Sequence, residues 1–296
     1  MAKLITVFAD ADLDGAGCVT ALKWLYTGHI INHKAVNERT FEDTFRNFLQ
    51  SEEYGKNDII YICDLNVAEK HSKLIDDKKV VYIDHHNEPL SVSFTSAALV
   101  REASPSCASL VWKCEKSKSS AILSNAQKLL LALIDDYDSY TLKAPQSLQL
   151  NTVFYSLQGD RIQQFWDKFK NGFTGFNDHQ KNVIHFHTLK VNQIFNELQV
   201  YRANIPLEGK TYNIVSTFAE YAINEVASHI LKKYNSEIAV VINPKTNTVS
   251  FRKQKGVNYD VSYLAKKLAE GDGNSNAAGG KLTSAMLTFS KVFKPL

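Results

Sequence analysis

Cysteine is scarce in this sequence, and its spacing is uninformative. The four cysteines, Cys18, Cys63, Cys107 and Cys114, show no CxxC pair. They offer no framework for a disulfide-stapled scaffold, so a reduced cytoplasmic setting is expected. Cys63 falls in an apolar run and reads as a small buried hydrophobe. Nowhere do about 18 uncharged apolar residues run together, which excludes a transmembrane helix. The opening segment MAKLITVFADAD lacks the apolar core and cleavage site of a signal peptide. Surplus charge is also small. The formal net charge is +3, so the chain is no polybasic nucleic-acid wrapper, and an anionic substrate must be gripped locally. Internal repeats and low-complexity tracts are missing. A soluble protein with no membrane partner is expected.

What is present is an ordinary globular composition, 44% hydrophobic over 296 residues. That length allows one large domain or two smaller ones. The first half alternates short apolar runs with helical patterns. Strands are predicted at 4–10, 58–66 and 79–86, with helices at 15–28, 67–77, 104–117 and 124–140. Such alternation predicts a parallel sheet with helices on both faces. Ligands of these sheets bind outside the carboxyl ends of the strands. Residues 151–198 read as mostly helical, with a turn-rich break at 171–177 and one apolar stripe over 179–200. A second α/β unit follows: a strand at 210–218, a helix at 223–234, a hairpin at 237–254 and a helix at 261–274.

The chemistry concentrates where the predicted strands end. Asp10, Asp12 and Asp14 follow the first, Asp64 ends the second, and Asp84-His85-His86 ends the third. Asp135, Asp136 and Asp138 form another acidic cluster on the 124–140 helix. A single Asp after a strand is often a helix N-cap, and Asp-x-Asp is common in loops. Several carboxylates in one crevice, however, repel strongly and need a compensating cation. Carboxylate oxygens mixed with imidazole suit Mn²⁺, or Mg²⁺ with more water. An acid shared between neighbouring strands, here Asp64, would hold two ions and support hydrolysis of a phosphodiester. The other histidines read as surface or packing residues.

These residues resemble the DHH phosphoesterase superfamily. DADLDGAGC (10–18), ICDLN (62–66), YIDHHNE (82–88) and LALIDDYDSY (131–140) are similar to its four motifs in order. GDGNSNAAGG (271–280) is similar to the glycine-rich signature of the DHH-associated domain, and SFRKQ (250–254) resembles the strand that carries its phosphate-gripping arginine. The resemblance implies that Asp12, Asp14, Asp64, His85 and Asp136 bind two Mn²⁺ ions, with Mg²⁺ as the substitute. His86 would contact the scissile phosphate or assist protonation. The catalytic set is then His86, Asp14, Asp64 and His85. Substrate binding falls to His86, Arg252, Gly273, Asn274, Asn276, Ala277, Ala278 and Gly279. Many members carry a histidine four residues before the first ligand. Here that position is Phe8, which cannot ligate, so the first ion is held by fewer protein groups or with help from Asp10. Asn274 stands where the family has histidine, and Asp272 where it has glycine.

The implied architecture is α/β. A parallel-sheet catalytic domain spans 1–177, a connecting helix spans 178–198, and a smaller substrate-binding α/β domain spans 199–296, with substrate between the lobes. The implied reaction is hydrolysis of short oligonucleotides, dinucleotides or cyclic dinucleotides to mononucleotides. The alternatives are a RecJ-like single-strand exonuclease, an exopolyphosphatase or pyrophosphatase, and a nucleotide-binding sponge without turnover. The long-strand exonuclease ranks lower because this chain leaves little room for extra domains or a long basic channel. A homodimer is compatible with the reading.

Overall fold

Strand β1 (Leu4–Asp10) shows why the first sheet is buried on both faces. Ile5, Val7 and Ala9 point to one side and Thr6 and Phe8 to the other, and all five are fully buried. The computed structural model describes residues 2–86, 90–273 and 275–296. After β1 come α1 (Leu13–Leu25), β2 (Ile30–Val36), α2 (Phe41–Leu49), α3 (Glu52–Lys56), β3 (Ile59–Cys63), α4 (Ala68–Ile75), β4 (Val80–Asp84) and β5 (Ala98–Arg101). Then follow α5 (Cys107–Glu115), α6 (Asn125–Asp138), α7 (Pro145–Ser156), α8 (Arg161–Phe169) and α9 (Asp178–Glu197). The chain divides into two units, Met1–Ile184 and His185–Leu296, with the boundary inside α9.

In the first unit the strand order is β2-β1-β3-β4-β5, and every neighbouring pair is parallel. The expected parallel α/β sheet is thus present. Two cores cover its faces. One joins Ile5, Val7, Tyr61 and Ile83 to α1 and α5–α8. The other joins Phe8, Ile60, Ile62 and Tyr82 to α2 and α4. The connection from β1 goes outward to β2, then crosses back to β3 on the other side. That reversal opens a crevice at the carboxyl ends of β1 and β3, the place where such sheets bind ligands. Gly17 lets α1 sit close to its neighbours, since a Cβ there would lie 2.8 Å from Ala108 Cβ and 2.9 Å from Ile134 Cδ1.

The second unit contains β6 (Val200–Leu207), β7 (Lys210–Phe218), α10 (Ile223–Lys233), β8 (Ile238–Asn243), β9 (Thr248–Lys253), α11 (Val261–Ala269), β10 (Asp272–Gly273), β11 (Ala277–Lys281), α12 (Ser284–Ser290) and β12 (Lys294–Pro295). Its described strands form one sheet ordered β10-β11-β9-β8-β7-β6-β12. Only the β7–β8 pair is parallel, as its crossover helix α10 requires. Among the described residues, no helix is long and apolar enough to cross a membrane.

Candidate metal centre

The site is built where β1, β3 and β4 end, beside the start of α5 and the last turn of α6. Asp10 closes β1. Asp12 caps α1, its Oδ1 accepting from Gly15 N at 2.9 Å. Glycine is required at 15, because a Cβ would fall 2.0 Å from the Asp10 carbonyl oxygen. Asp14, in the first turn of α1, meets the N-terminus of α5. Its Oδ2 accepts from Cys107 N at 2.6 Å and its Oδ1 from Ala108 N at 2.9 Å. Asp64 follows β3 in a left-handed conformation, φ 60°, which Asp tolerates better than most residues. Its N–H donates to the Ile83 carbonyl at 3.1 Å, tying the two strand tips together.

His85 is the hub. Its Nδ1 lies 3.0 Å from the Ser104 carbonyl oxygen, which can only accept, so Nδ1 carries a proton. In the neutral ring, Nε2 then presents a lone pair. That nitrogen lies 3.4 Å from Asp64 Oδ1, 3.4 Å from Asp138 Oδ2 and 3.7 Å from Asp14 Oδ2. A lone pair among three carboxylate groups is a donor set that a divalent cation would satisfy. Donor atoms about 2.0–2.2 Å from a first-row divalent ion stand roughly 3–3.5 Å apart, so the spacing fits one. The fixed tautomer is the second-sphere arrangement that metal-binding histidines use.

His86 is oriented differently. Its Nδ1 lies 2.6 Å from Asp84 Oδ1, and Asp84 is fully buried. Burial works against the Asp84 charge, but the His86 hydrogen bond and the charges of His86 and Arg101 prevail and hold it below the usual carboxylate range. Arg101 Nη1 is 3.3 Å from Asp84 Oδ2, its Nε donates to the His86 carbonyl at 3.0 Å, and its Nη2 donates to Asn66 Oδ1 at 3.0 Å. Donor atoms of Asp64, His85 and His86 lie within 4.8 Å of one another, as do those of Asp14, His85 and Asp138.

The electrostatics are those of a cation site. Burial, then the charge of Asp138, raises Asp14 well above the usual range. Burial, then Asp14 and Asp12, does the same to Asp64. Burial and Asp12 push both Asp138 and Asp10 up to about 7. Asp12 is also raised by burial, against hydrogen bonds from Gly15 and Asp14.

One expected ligand is elsewhere. Asp136 stands outside both groups. Its carboxylate accepts from Thr141 Oγ1, from Lys143 N at 2.9 Å and from Ala144 N at 2.9 Å. It organises the loop after α6. The reason is helical phase. Asp135 and Asp138 are three residues apart and share a face, whereas Asp136 is turned about 100° from Asp135. Asp135 accepts from Ser109 Oγ at 2.9 Å and so locks α6 to α5. That contact directs Asp138, not Asp136, toward His85.

Of the expected substrate residues, Arg252, Gly273, Asn276, Ala277, Ala278 and Gly279 gather on one edge of the second unit, where β9, β11 and β10 adjoin. Arg252 lies opposite Ala277, and its guanidinium donates to Asn224 Oδ1 at 2.7 Å. Gly273 adopts φ 147°, and a Cβ there would come within 2.5 Å of the Ala277 carbonyl oxygen. Asn274 lies outside the described residues. Asp138, Asp84 and Arg101 gained no role from sequence reasoning. The i, i+3 spacing from Asp135 was the available signal for Asp138, and Asp84 was legible as the first letter of Asp-His-His.

The stretch that carries these strand tips matches a known domain. The chain carries the N-terminal domain of the DHH family. The match spans residues 4–134. DHH family members are metal-dependent phosphoesterases, the enzyme class to which the chain is assigned on this domain. Solved structures share the DHH fold along the whole chain. The pGpG-specific phosphodiesterase PggH from Vibrio cholerae aligns with TM-score 0.59 and 14% identity over 98% of this chain and 96% of its own. The exonuclease RecJ bound to manganese aligns with TM-score 0.55 and 13% identity, over 98% and 88% respectively. An exopolyphosphatase-related protein from Bacteroides fragilis gives TM-score 0.52 and 14% identity, over 98% and 91%. At such identities the likeness speaks for the fold. No curated protein matches the sequence.

Proposed function

We propose that the chain is a divalent-metal-dependent phosphodiesterase that hydrolyses short oligonucleotides, dinucleotides or cyclic dinucleotides to mononucleotides. The observation that carries this reading is the single histidine nitrogen, His85 Nε2, ringed by Asp14, Asp64 and Asp138 at 3.4–3.7 Å with its tautomer fixed from behind. Asp14, Asp64, His85 and Asp138 would hold one ion. Asp12 and Asp10 would hold a second, with Asp64 shared between them. Phe8 adds nothing there, because its ring is fully buried against Phe41, Phe45 and Phe48. Mn²⁺ suits this donor set, with Mg²⁺ as the substitute. When bound, such ions acidify water and neutralise phosphate oxygens.

The remaining work belongs to the protein. Asp84 holds the Nδ1 proton of His86 and directs Nε2 toward substrate. His86 would therefore steady the scissile phosphate and hand a proton to the leaving oxygen. Arg101 keeps Asp84 ionised and fixes the His86 backbone. In the second unit, the glycine-rich strand pair and Arg252 would offer backbone and guanidinium donors to a phosphate or base. In this reading residues 1–177 carry the chemistry, the helix at 178–198 connects, and 199–296 select the substrate. The pGpG specificity of PggH and the exonuclease activity of RecJ agree with a nucleotide substrate.

Calorimetric Mn²⁺ titration tests the ligand set. Asp138→Asn is expected to weaken binding at least about tenfold, while Asp136→Asn leaves it unchanged and lowers Tm instead. A substrate panel of pNpN dinucleotides, 2–10-mer RNA and DNA, cyclic dinucleotides and polyphosphate tests the reaction. Turnover of the short nucleotides that EDTA abolishes and Mn²⁺ restores supports the proposal. Nucleotide binding that survives EDTA, with no turnover of any substrate, would refute it in favour of a sponge.

A further inference from the structure

An aromatic side chain stands half-exposed in the same unit as the acids. Tyr155 lies near the end of α7, with 52% of its surface open. The guanidinium of Arg161, the first residue of α8, lies over its ring at 5.2 Å. It also lies over the Phe154 ring at 5.7 Å, and Phe154 is fully buried and meets Tyr155 edge-on at 5.3 Å. The corner between these helices is tethered to the parallel sheet. Asp160 caps α8 through Gln163 N and lies 2.9 Å from His33 Nε2 on β2. His33 is three residues before Val36, which is the register partner of Asp10. The tether holds the corner against the sheet edge, where His33 pairs with Val7 in mid-strand. One turn before Tyr155 on α7, Asn151 donates to the Tyr137 hydroxyl at 2.7 Å, next to Asp138 at the end of α6, and so sets this face of α7 beside the acids. Burial, then the charge of Asp12, and further that of Asp10, push the Tyr155 hydroxyl up to about 12 against Arg161. The ring is therefore neutral at pH 7 and lies within the field of the two carboxylates.

We propose that Tyr155, held by Arg161, is a nucleobase platform beside the metal centre, and that it makes the domain prefer phosphodiesters carrying a base over base-free phosphates. The inference deepens the phosphodiesterase reading and rests on it. Every base presents a π face, so stacking on an open tyrosine is tolerant of sequence. Contact with a guanidinium on one side stiffens the ring in advance, which lowers the entropy lost when a base stacks on the other. Polyphosphate has no such face and gains nothing from the ring. Tyr155 is thus a specificity-determining residue and Arg161 a positioning residue.

The test compares the wild-type chain with Tyr155→Ala and Tyr155→Phe, using pApA and its abasic analogue in Mn²⁺. Tyr155→Ala is expected to raise KM for pApA about tenfold, with kcat changed less than about threefold. Tyr155→Phe keeps the wild-type KM, and the abasic analogue is cleaved alike by all three. A second readout does not depend on turnover. An uncleavable methylphosphonate dinucleotide containing 2-aminopurine should be quenched by the wild type and Tyr155→Phe, and not by Tyr155→Ala. Equal quenching in Tyr155→Ala, no quenching by the wild type, or a KM increase shared by the abasic analogue would overturn the platform. Ring-dependent quenching in a protein that cleaves neither substrate would leave the platform standing and remove the phosphodiesterase reading instead.

Discussion

Phe8 occupies the position at which the resemblance to the DHH superfamily implies a histidine ligand. It faces the core formed with α2, and its ring centroid lies 4.9 Å from that of Phe45 and 5.1 Å from that of Phe48. An imidazole there would be buried among aromatic rings without a hydrogen-bond partner. Phe8→His is therefore expected to destabilise the fold by about 2–4 kcal/mol without adding a metal ligand. Denaturant unfolding measures the first effect and Mn²⁺ calorimetry the second. A variant as stable as the wild type that binds the metal more tightly would show that the face of β1 has been misassigned. The same scale explains the exchange of Asp136 for Asp138. Three acids within four positions are indistinguishable as letters. They separate only when the helix phase is set, here by the Ser109 bond to Asp135. Asp84 is visible in Asp-His-His but draws no role from the sequence, and Arg101 does not stand out in it, for a related reason: each acts by holding another group.

The helices that carry the ligands meet at small residues, and α1 depends on one of them. Asp14 is placed by the N-terminus of α5, and α1 approaches that helix through Gly17. Gly17→Ala would improve helix propensity by about 1 kcal/mol in isolation. In the fold the added methyl would meet Ala108 Cβ at 2.8 Å and Ile134 Cδ1 at 2.9 Å. Overpacking is expected to win, with a net loss of about 1–3 kcal/mol and weaker Mn²⁺ binding as Asp14 shifts. Thermal unfolding and metal titration of the variant check both parts. At this scale the sequence was most readable where burial was two-sided. The runs at 4–10 and 210–218 coincide with β1 and β7, and the hairpin at 237–254 contains β8 and β9. Strand β2, IINHKAV, was missed because it is an edge strand whose exposed and half-buried positions mix apolar with polar residues. Strand β5 has only four residues, none of them buried, so it carries no apolar run to detect. Missing β5 also hid Arg101 at its end.

For the molecule as a whole, the acid cluster couples metal binding to stability. Asp10 and Asp138 have an ordinary value of 3.8 when unfolded and about 7 in the folded, metal-free chain. Between those values the unfolded chain releases protons that the folded chain retains. The metal-free protein is therefore expected to lose stability as pH rises from about 4 through about 7. A bound divalent cation favours the ionised carboxylates, so the rise in Tm produced by Mn²⁺ should grow over the same range. Scanning calorimetry from pH 5 to 8, in EDTA and in Mn²⁺, measures both slopes. An Mn²⁺ effect that is flat with pH would mean that neither acid contributes to metal binding.

The left-handed turn at Asp64 has one more consequence. Few side chains with a Cβ accept that backbone geometry, and aspartate is among the few. Alanine or glutamate would be opposed twice at this position, by the torsion angle and by the lost or displaced oxygen. Of the residues that this torsion suits best, glycine, asparagine and aspartate, aspartate alone brings an anionic oxygen to a cation, so conformation and chemistry favour the same residue at this strand tip.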